Sequence, residues 1–335
     1  MTEFRVISRV GEMLPSPMRQ DPPSGRAPVR LAAVQCAWDP DPDAHRDTLA
    51  QGVRIAAGQG ATVICLQELT LSPYFAVRPD DLESAQKAAE EVGDGPTTTF
   101  AREMAAEVGA VIHASLYERG TDGRGFNTAI AVESAGRVIA RTRKVHIPAF
   151  AYYHEDRYFA PGDTGFPVVD VRGARFGFPT CWDQWFPELA RIYSLAGAEI
   201  LVYPTAIGSE PHLDDFDTQP LWRQMITANG LASATFMVAV NRIGTEGPLT
   251  FYGSSFISDP YGRVIVEAPR DEPAVLVADL DLDQRRDWLT FGLIATRRPE
   301  QYGPLSDPSH SRAADPASTT RVGATSVSHE QEGRP

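Results

Sequence analysis

A chain of 335 residues with 42% hydrophobic and 22% charged side chains has ordinary globular composition, enough for one large domain or two small ones. Its 31 basic and 44 acidic residues leave a net charge of -13, which argues against nucleic acid as a partner, since phosphate contacts need clustered Lys and Arg. No stretch supplies the ~18 uninterrupted apolar residues of a membrane span, the N-terminus lacks the apolar core of a secretory signal, and Cys36, Cys65 and Cys181 have neither disulfide nor metal spacing. The expectation is therefore a cytoplasmic protein without a metal or cofactor.

Residues 1–28 are Pro-rich, polar and aperiodic and read as an N-terminal extension. The fold proper is expected to occupy residues 29–304, with a flexible polar tail over 305–335. VRLAAVQCAW suits a buried strand, residues 43–58 carry helical spacing, and ATVICLQEL is a second buried strand, giving a parallel strand-helix-strand opening. Cys36 and Cys65 fall in these strands as small core hydrophobes. Glu68 stands at the end of the second strand, where α/β sheets place their chemistry. Residues 80–91 and 96–108 read as helices, the second opened by Gly95-Pro96.

From residue 110 the period changes to two. AVIHASLYE, FNTAIAVES and RVIARTRKVHI form a meander that ends at Lys144. The sequence holds only one other lysine, Lys87, so a compact cation has been kept at Lys144 in a chain that otherwise writes arginine. Residues 149–165 form an aromatic loop around Glu155 and Asp156, long enough to line a cleft. Residues 166–179 form a hairpin turning on Arg172-Gly173, and its second strand feeds Cys181. A helix follows over 186–196, then the buried strand EILVYPTAIG, a helix over 222–234 capped near Asp217 or Thr218, and four further strands.

The sequence has no GxSxG elbow, P-loop or strand-turn-helix GxGxxG. What remains is a cysteine at a strand-to-helix turn, where backbone N–H dipoles favour a thiolate and can hold an oxyanion. No histidine has a comparable claim to serve as its base, since His113 lies mid-strand and His146 and His154 sit in the loop. A buried glutamate can act as that base, and a lysine can stabilise negative charge on oxygen, so Glu68, Lys144 and Cys181 make a chemically complete amide-cleaving set. An inert buried cysteine and two solvated strand-end charges are the alternative.

The ordered motifs Gln67-Glu68-Leu69, Arg143-Lys144-Val145-His146-Ile147-Pro148 and Thr180-Cys181-Trp182-Asp183-Gln184-Trp185 resemble the nitrilase superfamily of carbon-nitrogen hydrolases over roughly residues 29–301. The resemblance implies an α-β-β-α sandwich of the α/β class, dimerising into α-β-β-α-α-β-β-α as a homo-oligomer. It also implies Glu68 as general base, Lys144 and the Trp182 backbone N–H at the oxyanion, Cys181 as nucleophile and Glu155 in support. CWDQWFPE, LVYPTAIGSEP and NRIGTE are similar to the branch that cleaves the ureido group of carbamoylated diamines through a thioester. Phe178-Pro179-Thr180 departs from the usual aliphatic lead-in. The small-molecule partner is then a carbamoyl amine or amide, and Glu210, Asp214 and Asp215 are candidates for its distal ammonium. A hydrolase of carboxylate-bearing ureas or amides would instead aim arginines such as Arg157 and Arg223 into the pocket, and a catalytically silent interaction module would need no intact trio.

Overall fold

The computed structural model describes residues 2–19, 22–121, 124–213 and 215–307. Two compact units divide the chain at residues 1–292 and 293–335, ahead of the boundary at 304 expected from the sequence. In the second unit the described structure is two short 3-10 turns, Pro299–Gln301 and Gly303–Ser306, and the polar tail from residue 308 lies outside the described residues.

The first unit opens with a strand, β1 (Arg5–Arg9), inside the segment expected to be aperiodic. Its backbone pairs in parallel with residues 274–278, a partner invisible to local periodicity. Next come β2 (Val29–Gln35), α1 (Pro42–Gly58) and β3 (Val63–Cys65). Asp41 caps α1, its carboxylate accepting from the N–H groups of Asp43 and Ala44, and Pro42 supplies a preset first turn. Beyond β3, α2 (Leu82–Ala88) is shorter than expected because Ala89 and Glu90 extend into β4 (Ala89–Glu90) beside a later strand, and α3 (Pro96–Val108) follows. The meander is β5 (Val111–Glu118), β6 (Phe126–Val132) and β7 (Val138–Arg143).

The aromatic loop folds on itself through β8 (Ala149–Phe150) and β9 (Tyr153–His154). β10 (Val169–Val171) and β11 (Ala174–Gly177) form the expected hairpin, with Arg172 and Gly173 at φ 55° and 78°, the twist a two-residue connection requires. Then come α4 (Pro187–Leu195), β12 (Ile200–Pro204), α5 (Gln219–Ser233) and β13 (Phe236–Val240). A separate hairpin of β14 (Ile243–Glu246) and β15 (Leu249–Tyr252) interrupts what reads in sequence as two continuous strands. β16 (Phe256–Ser258), β17 (Val264–Glu267), β18 (Ala274–Leu280) and an unanticipated α6 (Asp283–Leu289) complete the unit.

One sheet runs β1-β18-β2-β3-β5-β6-β7, with β4 also on β5; the other runs β10-β11-β12-β13-β16-β17. Leu31, Ala33, Cys65, Ala129 and Ala131 of the first sheet meet Phe176, Phe178, Val202 and Val238 of the second in a dry core. The outer face of the first sheet packs on α1 and α3, and that of the second on α4 and α5. The alternation of apolar faces thus builds an α-β-β-α sandwich, with β2, β3 and β5 parallel in one sheet and β11, β12 and β13 parallel in the other.

Candidate active site

Glu68, Lys144 and Cys181 each follow the end of a strand, β3, β7 and β11 respectively. Leu69, next to Glu68, takes a positive φ of 47°. That turn is held from below by Arg242, a fully buried guanidinium just beyond β13. Its Nη2 donates to the carbonyls of Glu68, Leu69 and Ser72 at 2.7, 3.2 and 3.2 Å, while Nη1 pairs with Glu246. A buried cation spent on three backbone carbonyls fixes the glutamate's position without neutralising its carboxylate.

Lys144 is wholly buried and bridges two carboxylates, with Nζ 3.0 Å from Glu68 Oε1 and 2.6 Å from Glu155 Oε2. Burial opposes its charge, but Glu155 and Glu68 outweigh burial and raise its pKa, so it is a cation throughout the working range. Glu155 takes its second hydrogen bond from the Tyr74 hydroxyl, 2.9 Å from Oε1. Burial pushes Glu155 up to about 7; Lys144 pulls it down and the charge of Glu68 pushes it up again. Both oxygens of Glu155 therefore hold donors. Glu68 differs: Oε1 accepts from Asn127 Nδ2 at 2.7 Å and from Lys144, but Oε2 has no hydrogen-bond partner among the described residues. By geometry Glu68 is the carboxylate with room for a proton.

Cys181 opens a five-residue 3-10 turn, Cys181–Trp185, with φ at 38°. A non-glycine residue in this region carries strain on the order of 1–3 kcal/mol, a cost borne where the backbone must aim a side chain. Asp183 holds the turn by accepting from the N–H of Thr180 at 3.2 Å, and from the backbone N–H and Nδ1 of His146 at 2.9 and 2.8 Å. One carboxylate so ties the Cys181 turn to the segment after Lys144. The thiol is pushed well above its ordinary value, by burial first and by Glu68 next, against the pull of Lys144 and a backbone hydrogen bond from Ala206. Desolvation at Cys181 thus opposes the dipoles of its turn. Burial so favours the protonated thiol, which gives a base its role. Cys36 and Cys65 are buried in the core as expected, Cys36 pushed up to about 12 by burial.

Cys181 and Glu155 open onto a cavity of about 410 Å³, walled by Phe150, Tyr153, Trp182, Trp185, Ile207 and Leu213, with Glu210 at its side. Phe150 packs on both Tyr153 and Trp182, with ring centroids 4.9 and 5.0 Å apart. The strand-end loop after β12 is fixed by Asn241, whose side chain accepts from the Ile207 N–H and donates to the Ile207 carbonyl. Glu210 is half-buried, has no ion-pair partner among the described residues, and is pushed up to about 7 by burial. Asp215, at φ 63°, does not line the Cys181 cavity; it lines a neighbouring one together with Glu210, Asp217 and Arg270. Asp214 lies outside the described residues. Arg157 and Arg223 are exposed and pair with Asp156 and Glu267, and neither lines the Cys181 cavity. Among the described residues no cluster of potential ligands could hold a metal ion.

Sequence reasoning missed Asn127, Tyr74, Asn241 and Arg242. Each is a polar side chain inside or beside an apolar run, and a buried polar group requires partners, which is the signal that could have found them.

A model of the carbon-nitrogen hydrolase family matches residues 30–289, and the chain belongs to that family, within the nitrilase superfamily. It is a hydrolase of carbon-nitrogen bonds in linear amides. Among curated proteins it is similar to the N-carbamoylputrescine amidase of Solanum tuberosum, 39% identical over 286 residues, which span 82% of this chain and 93% of that protein. It is also similar to a citrullinase of Francisella tularensis, 37% identical over 284 residues, 82% of this chain and 97% of that protein. Among solved structures, a carbon-nitrogen hydrolase from Helicobacter pylori G27 matches with a TM-score of 0.75 and 29% identity, covering 84% of this chain and 99% of the other.

Proposed function

We propose that the chain hydrolyses the ureido group of N-carbamoylputrescine, with Cys181 as nucleophile, Glu68 as base and Lys144 at the oxyanion. Glu68 Oε2 takes the thiol proton as the sulfur attacks the carbonyl carbon. The oxyanion rests on Lys144 Nζ and the Trp182 N–H, one of the first amides of its turn, which lack partners within the helix. Ammonia leaves with the proton from Glu68, and a carbamoyl thioester remains. Glu68 then deprotonates water, the water oxygen adds to the thioester carbon, and the sulfur leaves and regains its proton. The N-carboxyl product loses carbon dioxide to give the diamine. Glu155 orients Lys144 and the substrate.

One observation carries the substrate class: Glu210 is an unpaired carboxylate beside an otherwise largely apolar cavity that no arginine lines. A distal ammonium supplies the missing partner, whereas a distal carboxylate would face Glu210 with His212 as the one basic side chain among the described lining residues. The name of the Solanum tuberosum relative agrees with this reading. The citrullinase relative shares the carbamoyl group but implies a substrate with an added carboxylate, which the lining disfavours. The charge of Glu210 is present above about 7, so kcat/KM for a cationic urea falls as pH drops through that value. Glu210→Lys is expected to raise KM for N-carbamoylputrescine at least about tenfold and to leave that for N-butylurea nearly unchanged. Equal changes for both substrates refute the assignment, as does a parent enzyme that prefers citrulline. The same reading carries a back-to-back dimer, which would cover the exposed Ile192, Leu195 and Leu231 of α4 and α5.

A further inference from the structure

We propose that Asn127 is a positioning residue that decides which oxygen of Glu68 takes the proton and locks that base to Lys144. The inference rests on the reading of Glu68 as the base. Asn127 lies in β6, fully buried, in a strand whose neighbours Phe126 and Ala129 to Val132 are apolar. An amide costs free energy in such a place unless its atoms are paired, and here they are paired toward the site.

The orientation of the amide is dictated by its network. The Leu69 N–H donates to Ser115 Oγ at 3.2 Å, so the Ser115 proton is free to go to Asn127 Oδ1, 3.3 Å away. With its oxygen so engaged, Asn127 turns its NH2 group to Glu68 Oε1 at 2.7 Å. An amide nitrogen only donates, and Lys144 also only donates to that oxygen, at 3.0 Å. Protonating Oε1 would set hydrogen against both donors. The proton is therefore steered to Oε2, which the protein leaves without a partner.

The backbone of the same residue does a second job. The Asn127 carbonyl accepts from the Lys144 N–H at 2.8 Å, extending the β6–β7 ladder past Arg143. Base and oxyanion cation are registered against each other through one residue, by its side chain on one and its main chain on the other. The ionisable groups acting on this point are Lys144, Glu155, Cys181 and Tyr74, each of which senses the charge of Glu68 or pairs with it. Asn127 is the neutral member that selects among its oxygens.

The test compares Asn127→Leu, Asn127→Asp and Ser115→Ala with the parent and with Glu68→Gln, using the best substrate of the panel above. Asn127→Leu is expected to lower kcat about tenfold to a hundredfold, the scale of a misplaced reacting group, with KM moved less than about threefold. Asn127→Asp sets a second carboxylate against Oε1, so the acid limb of the kcat/KM profile for the neutral N-butylurea, which does not depend on the charge of Glu210, rises by about one pH unit or more. Ser115→Ala leaves every reacting group in place and lowers kcat by about threefold, a fraction of the Asn127→Leu loss. A merely structural Asn127 would lower the melting temperature without moving the pH limb. The inference is overturned if the Asn127→Asp profile superimposes on the parent's, or if Ser115→Ala keeps parental kcat; the latter decides the matter even if the Asn127 variants do not fold. A fully active Glu68→Gln removes the base assignment itself, whereas an inactive Glu68→Gln beside parental Asn127 variants removes only this inference.

Discussion

His113 gives a stability prediction that can be worked through from its surroundings. It lies in β5, opposite Cys65 of β3 and Ala131 of β6, and its ring stacks on Phe178 with centroids 5.1 Å apart. It is fully buried, and neither ring nitrogen has a hydrogen-bond partner among the described residues. Burial alone lowers its pKa from 6.5 to about 3, so it stays neutral in the folded protein at pH 5. The unfolded chain binds a proton there with an ordinary affinity. A depressed imidazole contributes nothing to pH dependence well above 6.5 and costs stability as pH falls below it, by about 1.4 kcal/mol per unit until the folded group also protonates. Between pH 7 and pH 5 the parent therefore loses about 2 kcal/mol on this account, and His113→Leu does not. At pH 7 the substitution also removes two unsatisfied nitrogens, worth about 1–3 kcal/mol, against a stacking contribution of about 0.5–1.5 kcal/mol. Thermal melts of both proteins at the two pH values read the effect directly. For a domain of this size about 2 kcal/mol corresponds to roughly 4 °C, so the melting-temperature gap in favour of His113→Leu widens by that amount at pH 5. An unchanged gap refutes the reasoning, because every other titrating group cancels in the comparison.

Two further outcomes are expected. Asp183→Asn keeps one acceptor oxygen where the carboxylate had two, slackening the tie between the Cys181 turn and the Lys144 segment. Turnover should fall about tenfold with melting temperature little changed, measured by steady-state kinetics. Deleting residues 2–10 removes β1 together with Phe4, Ile7 and Val10, which pack partly buried against the two cores of the first sheet. Denaturant titration should show a loss of about 3 kcal/mol, from partial burial of three apolar side chains. kcat should stay at the parental value, since none of these residues lines the cavity.

The trio was legible because each member ends a strand. An apolar run that stops at a charged or nucleophilic residue places that residue at the sheet's edge, and Glu68, Lys144 and Cys181 all follow this rule. Glu210 was legible as an acid near the site, but Asp215 was not separable from it: the two share a neighbouring cavity, and Glu210 alone of the pair also lines the Cys181 cavity. The desolvation that pushes the Cys181 thiol up was not legible either, since it comes from chain segments far away in sequence. In the fold, α1, α3 and the β5–β6–β7 meander announced themselves through period and caps. β1 did not, because a five-residue edge strand owes its existence to backbone pairing rather than to a buried face of its own. Asn127 was visible only as an odd letter in an apolar strand, and its meaning lies in Glu68, 59 positions earlier.

The placement of β18 has a consequence for how the molecule is made. It sits between β1 and β2, parallel to one and antiparallel to the other, so the last strand of the sheet fills a slot between the first two. At translation rates of roughly 5–20 residues per second, those opening strands leave the ribosome tens of seconds before their shared neighbour exists. Until then both present unpaired edges, the surfaces on which nascent chains stick to one another. A product truncated before residue 274 would hold every residue of the proposed catalytic set and still lack the strand that closes its sheet. Such a chain is a candidate for chaperone capture or degradation rather than for partial activity.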